Sequence, residues 1–124
     1  MTVLDSSAWL AYFAEEPHAD GFATHAIAAT RIVPTIVLHE VYKVMRRERN
    51  VDDAMEAVAA MTDAAQVVPL TQSIALFSAD LALQHGLSLA DAVIYATTQV
   101  HDATLITSDA HFEGLPGVEY LPKP

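Results

Sequence analysis

The chain contains no cysteine, and this absence excludes two kinds of structure. It excludes a disulfide framework, and it excludes a metal site built on thiolates. Because a protein without disulfides is compatible with a reducing compartment, we predict a cytoplasmic location. Long apolar runs are absent too: every run ends well before the roughly 18 residues that a membrane span requires. We therefore predict no contact with a membrane.

Basic residues are scarce as well. Six lysines and arginines stand against sixteen acids, which gives a formal net charge of −10. A generic nucleic-acid-binding surface is normally basic, so this balance argues against one. If the substrate is a nucleic acid, a local group of positive charges must overcome the surrounding field.

Short apolar segments alternate with longer helical segments along the whole chain. Strands of this kind, joined by helices, need crossover connections, which predicts an α/β fold with a parallel sheet covered on both faces. With no repeat, low-complexity tract or linker, we predict a single domain over residues 1–124. The predicted strands are Val3–Leu4, Arg31–Pro34, Gln66–Leu70, Ala103–Thr107 and Val118–Leu121. The predicted helices are Ser7–Glu16, Pro17–Ala29, Thr35–Asn50 with Thr35 as cap, Val51–Ala65, Thr71–His85 and Ser88–Val100.

Two acids directly follow predicted strands. Asp5 ends the first strand in T-V-L-D-S-S-A-W, and Asp109 follows the fourth in T-L-I-T-S-D-A-H-F. In open α/β sheets, ligands bind at the carboxyl ends of the strands where the strand order reverses. If the chain winds one way from the first strand and then returns to its other side, both carboxylates face one crevice. The alternative is that Asp5 caps a helix and Asp109 forms a turn.

Two further acids stand at unusual helical positions. Asp91 lies in S-L-A-D, where Ser88 as N-cap and the acid three residues later form an arrangement like a capping box. Glu40 lies on an otherwise apolar helix, one turn from Ile36 and from Val44. A carboxylate at the border of an apolar face needs a partner or a metal, unless it reaches solvent at the edge.

Four carboxylates in one cleft would repel one another. Two unit charges about 4 Å apart repel by roughly 4 kcal/mol at an effective dielectric constant of about 20, so such a cluster needs a cation. Oxygen ligands select hard ions such as Mg²⁺ or Mn²⁺, and a site of this kind suits phosphodiester chemistry. Zinc is not expected, because there is no thiolate and no close pair of histidine ligands. By default the histidines are predicted to be surface or packing residues: His18, His25, His39, His85, His101 and His111.

The ordered set of motifs resembles the PIN-domain ribonucleases, and more narrowly the VapC-type toxins of toxin–antitoxin pairs. The motifs are V-L-D-S-S-A, T-I-V-L-H-E-V, L-A-D-A-V-I-Y-A and T-L-I-T-S-D-A-H-F, and together they span nearly the whole chain. The resemblance implies a three-layer α/β/α fold with a five-stranded parallel sheet. It also implies Mg²⁺- or Mn²⁺-dependent cleavage of RNA, a homodimer, and inhibition by a cognate antitoxin.

The same resemblance assigns roles to individual residues. Ser7 and Thr107 occupy polar support positions beside the first and the last metal-binding acid. Glu113, a helical turn beyond the last acid, is an additional or alternative outer acid. The positions that match the metal-binding acids of the family are Asp5, Glu40, Asp91 and Asp109.

Four of the six basic residues lie near the end of the predicted helix Thr35–Asn50. Lys43 and Arg47 stand three and seven positions after Glu40, on the same side of the helix, so we predict that they contact RNA phosphates. The alternative is that these charges only complement the negative end of the helix dipole, and both readings are compatible.

Two other functions agree with parts of the sequence. A phosphohydrolase with Asp5 as covalent nucleophile would carry a second Asp two residues on and a later lysine. Ser7 stands where that second Asp would be. No lysine lies between Lys43 and Lys123. A non-catalytic acidic protein-binding module would use the same acids as helix caps.

An apolar groove between the early helices would admit the basic, amphipathic tail of an antitoxin. For Val41 and Met45 the prediction is burial in the core rather than exposure in this groove. The residues from which the groove would be built are Ala8, Ala11, Tyr12, Val41, Tyr42 and Met45.

Overall fold

A five-stranded sheet forms the centre of the protein. The computed structural model describes residues 1–14 and 30–123. All neighbouring strands are parallel, and their order across the sheet is β3-β2-β1-β4-β5. The predicted helix Pro17–Ala29 and the end of the predicted helix Ser7–Glu16 lie outside the described residues. The strands are β1 (Thr2–Leu4), β2 (Arg31–Pro34), β3 (Gln66–Val68), β4 (Thr104–Thr107) and β5 (Val118–Tyr120).

Helices cover both faces of the sheet and complete the three layers. Helix α2 packs against α1 and α3, and α4 packs against α5. The predicted α/β/α fold with a five-stranded parallel sheet is thereby confirmed. None of the helices in the described ranges is long and apolar enough to cross a bilayer. The bounds are α1 (Ser6–Phe13), α2 (Thr35–Glu48), α3 (Val51–Ala64), α4 (Gln72–His85) and α5 (Leu89–Val100), with a 3₁₀ helix at Ala110–Phe112.

The central strands are apolar because both of their faces are covered. Val3, Ile32 and Leu105 are buried, and so are the residues that follow them in β1, β2 and β4. The edge strand β3 is different, because only its last residue, Val68, is buried. The prediction that this strand reaches Leu70 is wrong: the proline at position 69 has no N–H to continue the ladder, and Leu70 is exposed.

Most helix ends follow the capping chemistry of the sequence. Gly86 has a φ of 68° and ends α4 in the left-handed conformation. The four N-caps that accept a hydrogen bond from a backbone N–H three residues later are Asp5, Asn50, Thr71 and Ser88.

The prediction that Thr35 caps α2 is wrong. Pro34 occupies the cap position, and Thr35 is the first helical residue. The Thr35 hydroxyl donates instead to the carbonyl of Val68 at 3.0 Å, which joins the start of α2 to β3. The helix also ends at Glu48, because Asn50 already caps the next helix.

The strand order reverses between β1 and β4. After β1 the sheet grows on one side through β2 and β3, and the chain then returns to place β4 and β5 on the other side. Leu4 pairs with Ile106, so the residues that follow these two strands are neighbours at the carboxyl edge of the sheet. This edge is the position at which open α/β sheets bind ligands.

Candidate active site

Asp5 lies at the junction of β1 and α1, and only 2% of its surface is exposed. Its Oδ1 accepts hydrogen bonds from the Ser7 hydroxyl (2.7 Å) and the Ala8 backbone N–H (3.0 Å). Its Oδ2 accepts a hydrogen bond of 2.5 Å from the Thr107 hydroxyl. Asp5 is therefore a helix cap, and it is also a carboxylate held in a fixed orientation.

Burial raises the pKa of Asp5 to about 6, because removal of water disfavours the charged form. Hydrogen bonds from Thr107, Ser7 and the Ala8 N–H lower the pKa, and the nearby charge of Asp109 raises it. A charged carboxylate at this position is therefore unfavourable unless a cation lies close to it.

Thr107 connects two of the acids. It is fully buried at the end of β4, where its Oγ1 donates to Asp5 and accepts a hydrogen bond from the Asp109 backbone N–H at 2.9 Å. The single hydroxyl hydrogen of Thr107 is thus used at the end of β1, and one lone pair of the same oxygen is used after the end of β4. Both predicted support residues, Ser7 and Thr107, contact Asp5 directly.

Asp91 and Asp109 come together from α5 and the 3₁₀ helix, and His111 lies between them. His111 Nδ1 is 3.4 Å from Asp91 Oδ2 and 3.2 Å from Asp109 Oδ1. Burial is the main cause of a raised pKa at Asp91; the charge of Asp109 adds to it, and His111 opposes it. The Ser88 cap predicted for this helix is also present, with a distance of 3.4 Å from the Asp91 N–H to the Ser88 Oγ.

Glu40 approaches the same region from α2. Burial is the main cause of its raised pKa, a hydrogen bond with Ser6 lowers the pKa, and the charge of Asp91 raises it. Its Oε1 is buried and has no hydrogen-bond partner among the described residues. A buried oxygen without a partner is costly, so this atom points to a ligand.

The structure places the four predicted acids in a chain of three pairwise charge interactions. Asp5 interacts with Asp109, Asp109 with Asp91, and Asp91 with Glu40. Glu113 is exposed at the end of the 3₁₀ helix and is not part of this group.

The default assignment of His111 as an ordinary surface residue is incomplete, because its ring contacts two of the acids. No periodic signal in the sequence identifies it, because it stands on a turn of only three residues. His111 stands two residues after an Asp that caps a turn and one residue before the buried Phe112.

A groove of about 560 Å³ runs along α2 and is lined by basic side chains. Lys43 is exposed, and its charge lowers the pKa of Glu40, so it lies on the Glu40 side as predicted. Arg47 is exposed and pairs with Glu48 at 3.1 Å. The residues that line the groove are His39, Tyr42, Lys43, Arg46 and Arg47.

The acids fit a divalent cation. Three of them have raised pKa values, and one has a buried oxygen without a partner. A cation would supply both the missing partner and the compensating charge. Asp91, Asp109 and His111 each offer one ligand atom, and these atoms lie within 4.8 Å of one another.

A parallel α/β sheet with a carboxylate cluster at its switch point defines the class of protein: an α/β protein with an acidic crevice at the carboxyl edge of its sheet. The family model of the PIN domain matches residues 2–118, and the chain belongs to the PIN-domain family. The resemblance inferred from the four motifs is thereby confirmed. A comparison with curated protein sequences found no match.

Solved structures with a similar fold include a toxin–antitoxin complex from Klebsiella pneumoniae, with 25% identity, a TM-score of 0.83 and 100% of both chains covered. Another is VapC20, a Sarcin-Ricin loop cleaving toxin of Mycobacterium tuberculosis, with 19% identity and a TM-score of 0.79 over 98% of this chain and 100% of that one. A third is VapBC2 from Rickettsia felis bound to a DNA fragment from its promoter, with 16% identity and a TM-score of 0.76 over 96% and 97%.

Proposed function

We propose that this protein is a divalent-cation-dependent endoribonuclease and the toxin of a toxin–antitoxin pair. The observation that carries the proposal is the convergence of Asp5, Glu40, Asp91 and Asp109 at one edge of the sheet, with charges that destabilise one another. Membership of the PIN-domain family supports a nuclease, and full-length similarity to the Klebsiella complex supports a toxin.

The four acids divide two tasks in this proposal. Asp91, Asp109 and the unpartnered oxygen of Glu40 would hold the ion, and Asp5 would complete the site from the centre of the sheet. Mg²⁺ or Mn²⁺ would polarise a phosphodiester oxygen and lower the pKa of an attacking water. Thr107 orients Asp5, because its hydroxyl hydrogen is committed to Oδ2.

RNA is the substrate class that we propose, and the basic groove supports it. Lys43 and Arg47 stand on the same helix as Glu40, so they would hold phosphates next to the acids. Binding through phosphate contacts releases counterions and is sensitive to salt. The Mycobacterium relative is described as cleaving the Sarcin-Ricin loop, which supports RNA as the class without defining the target.

The environment of Asp5 does not favour the phosphohydrolase alternative. A covalent nucleophile needs an accessible oxygen, but both Asp5 oxygens accept hydrogen bonds from the protein and the residue is 2% exposed. These hydrogen bonds support an orienting role, and Oδ2, which accepts one hydrogen bond from the described residues, keeps a lone pair for an ion.

Cleavage of total RNA by the purified protein tests the nuclease. We expect internal cleavage with Mg²⁺ or Mn²⁺, none in chelator, and a loss of most activity in Asp5→Asn. Asp80→Asn is the matched control, because it removes one exposed acid from α4, and it should cleave normally. Cleavage in chelator contradicts the metal proposal, and metal binding without cleavage favours the binding module. A trapped phospho-aspartate would identify the phosphohydrolase.

An antitoxin is the partner that we propose. The groove predicted between the early helices is only partly available, because Ala8, Ala11 and Val41 are buried in the core. Leu10, Phe13 and Met45 remain partly exposed and line a cavity of about 220 Å³ between α1 and α2.

Co-expression with the neighbouring reading frame should yield a copurifying small protein that suppresses cleavage. Full activity beside that product would refute the toxin proposal.

A homodimer in the cytoplasm completes the proposal. Leu76 and Leu83 lie on one face of α4 and are 65% and 87% exposed, which supports an apolar contact between subunits. Leu83→Lys should shift the mass measured by light scattering from dimer to monomer. Val100→Lys, a change at an exposed residue of α5, should leave the mass unchanged.

A further inference from the structure

His111 is held in place by the turn on which it stands. The 3₁₀ helix Ala110–Phe112 begins with a hydrogen bond of 2.9 Å from the His111 backbone N–H to Asp109 Oδ1. The next residue, Phe112, is fully buried and packs near Tyr95, with 6.4 Å between the ring centroids. The backbone of His111 is therefore fixed on both sides, although its side chain is 77% exposed.

The position of the ring is not explained well by an ion pair alone. An imidazole that is 77% exposed gains little from nearby carboxylates, because water screens the interaction. The ring nitrogen is nevertheless placed between two acids that come from different elements, with Asp91 at the start of α5 and Asp109 after β4.

The distances from the His111 ring nitrogen to the two carboxylate oxygens match those between neighbouring ligand atoms on one ion. Two ligands at right angles on an ion, with bonds of about 2.1 Å, lie about 3 Å apart. His111 Nδ1 is 3.2 Å from Asp109 Oδ1 and 3.4 Å from Asp91 Oδ2. These separations need little adjustment to surround one cation.

We propose that His111 Nδ1 is a nitrogen ligand of the metal centre, beside Asp91 and Asp109. This inference rests on the metal centre of the proposed function and extends it to the choice of ion. Mg²⁺ prefers oxygen ligands and binds imidazole weakly, whereas first-row transition ions accept nitrogen with increasing affinity from Mn²⁺ to Co²⁺ and Ni²⁺. The centre is therefore biased towards Mn²⁺ and Co²⁺ over Mg²⁺. A ring that binds through Nδ1 carries its proton on Nε2.

Metal binding without RNA tests the inference directly. Pulsed electron paramagnetic resonance of the Mn²⁺-loaded protein should show modulation from a ¹⁴N nucleus bound to the ion. The signal should disappear in His111→Ala and persist in His101→Ala. His101 follows the opposite end of α5 from Asp91, and its Nδ1 lies 2.9 Å from the Thr97 carbonyl, so it is a matched histidine outside the cluster.

Calorimetry gives a second readout. Groups that support a metal ligand through a hydrogen bond are typically worth 10–100-fold in affinity, so we expect the loss of a ligand in His111→Ala to weaken Mn²⁺ and Co²⁺ binding by at least about tenfold. Mg²⁺ affinity should change much less. Equal losses for all three ions would show that His111 only positions Asp91 and Asp109, and would overturn the inference. A wild-type Mn²⁺ complex without the ¹⁴N signal would overturn it as well.

The two proposals fail in different experiments. A protein that shows the nitrogen signal but does not cleave RNA supports the histidine ligand and refutes the nuclease. A protein that cleaves RNA, but whose Mn²⁺ affinity and spectrum are unchanged in His111→Ala, refutes the histidine ligand and leaves the nuclease intact.

Discussion

The substitution Asp5→Asn measures what the buried carboxylate costs the metal-free protein. Asparagine keeps the shape of the side chain and an Oδ1 that accepts the Ser7 and Ala8 hydrogen bonds, but it removes the charge. It also places an NH₂ group opposite the Thr107 hydroxyl, which must then turn its hydrogen elsewhere. That rearrangement lowers the stability of the variant by an amount that does not depend on pH. The charge of Asp5 lowers the stability of the wild type by an amount that does depend on pH.

Because folding raises the pKa of Asp5, its contribution to stability depends on pH in one direction. The pKa of Asp5 is raised from 3.8 to about 6 on folding, so between these values the folded protein binds more protons than the unfolded chain. The contribution of Asp5 to stability is therefore fully present below pH 3.8 and is lost as the pH rises through about 6. The difference between these two pKa values corresponds to about 3 kcal/mol.

Urea unfolding between pH 4 and 7.5 in chelator gives the comparison. The free energy of unfolding of the wild type, relative to Asp5→Asn, should fall by about 2.5 kcal/mol across this range, because the unfolded carboxyl is already partly ionised at pH 4. Asp80→Asn, at an exposed position on α4, should follow the wild type at every pH. A difference between wild type and Asp5→Asn that stays constant with pH would show that Asp5 titrates normally in the fold, and would refute the reasoning.

Three further predictions concern the cation, the support shell and the basic groove. Mg²⁺ or Mn²⁺ should raise the melting temperature, because ions that bind only the folded cluster stabilise it; a melting temperature insensitive to both ions contradicts the metal centre. Thr107→Val should lower stability by about 1–3 kcal/mol by leaving buried partners unsatisfied, while Thr104→Val at the exposed start of the same strand should not; equal urea midpoints would disprove the bridging role. The double variant Lys43→Ala, Arg47→Ala should weaken RNA binding and flatten its salt dependence in filter-binding assays, with Arg49→Ala as control; unchanged affinity would leave only a helix-dipole role.

The sheet could be predicted because its central strands are buried on both faces. Such strands appear as continuous apolar runs, and the caps Thr71 and Ser88 with the stop at Gly86 mark the helices between them. The errors occur where local signals compete. Leu70 extends an apolar run past a proline, and Thr35 has the chemistry of a cap but uses its hydroxyl on β3.

The acids could be predicted more readily than the groups that hold them. Asp5 and Asp109 follow strands, which is visible in the sequence, but the Thr107 bridge between them depends on the register of β1 against β4. Spacing alone does not define that register. His111 depends on a 3₁₀ turn that directs its ring back towards Asp91, and periodicity does not reveal a turn of three residues.

The central place of β1 makes the site depend on residues that are synthesised far apart in time. The hydroxyl that orients Asp5 belongs to Thr107, which lies 102 residues further along the chain. At typical rates of about 5–20 residues per second, the ribosome needs on the order of 5–20 s to cover that distance. Until then β1 lacks one of its two neighbours, and the carboxylates of β1 and β4 do not meet. The two carboxylates therefore come together only when β4 adds to the sheet, so the pairing of these two strands decides when the acidic crevice forms.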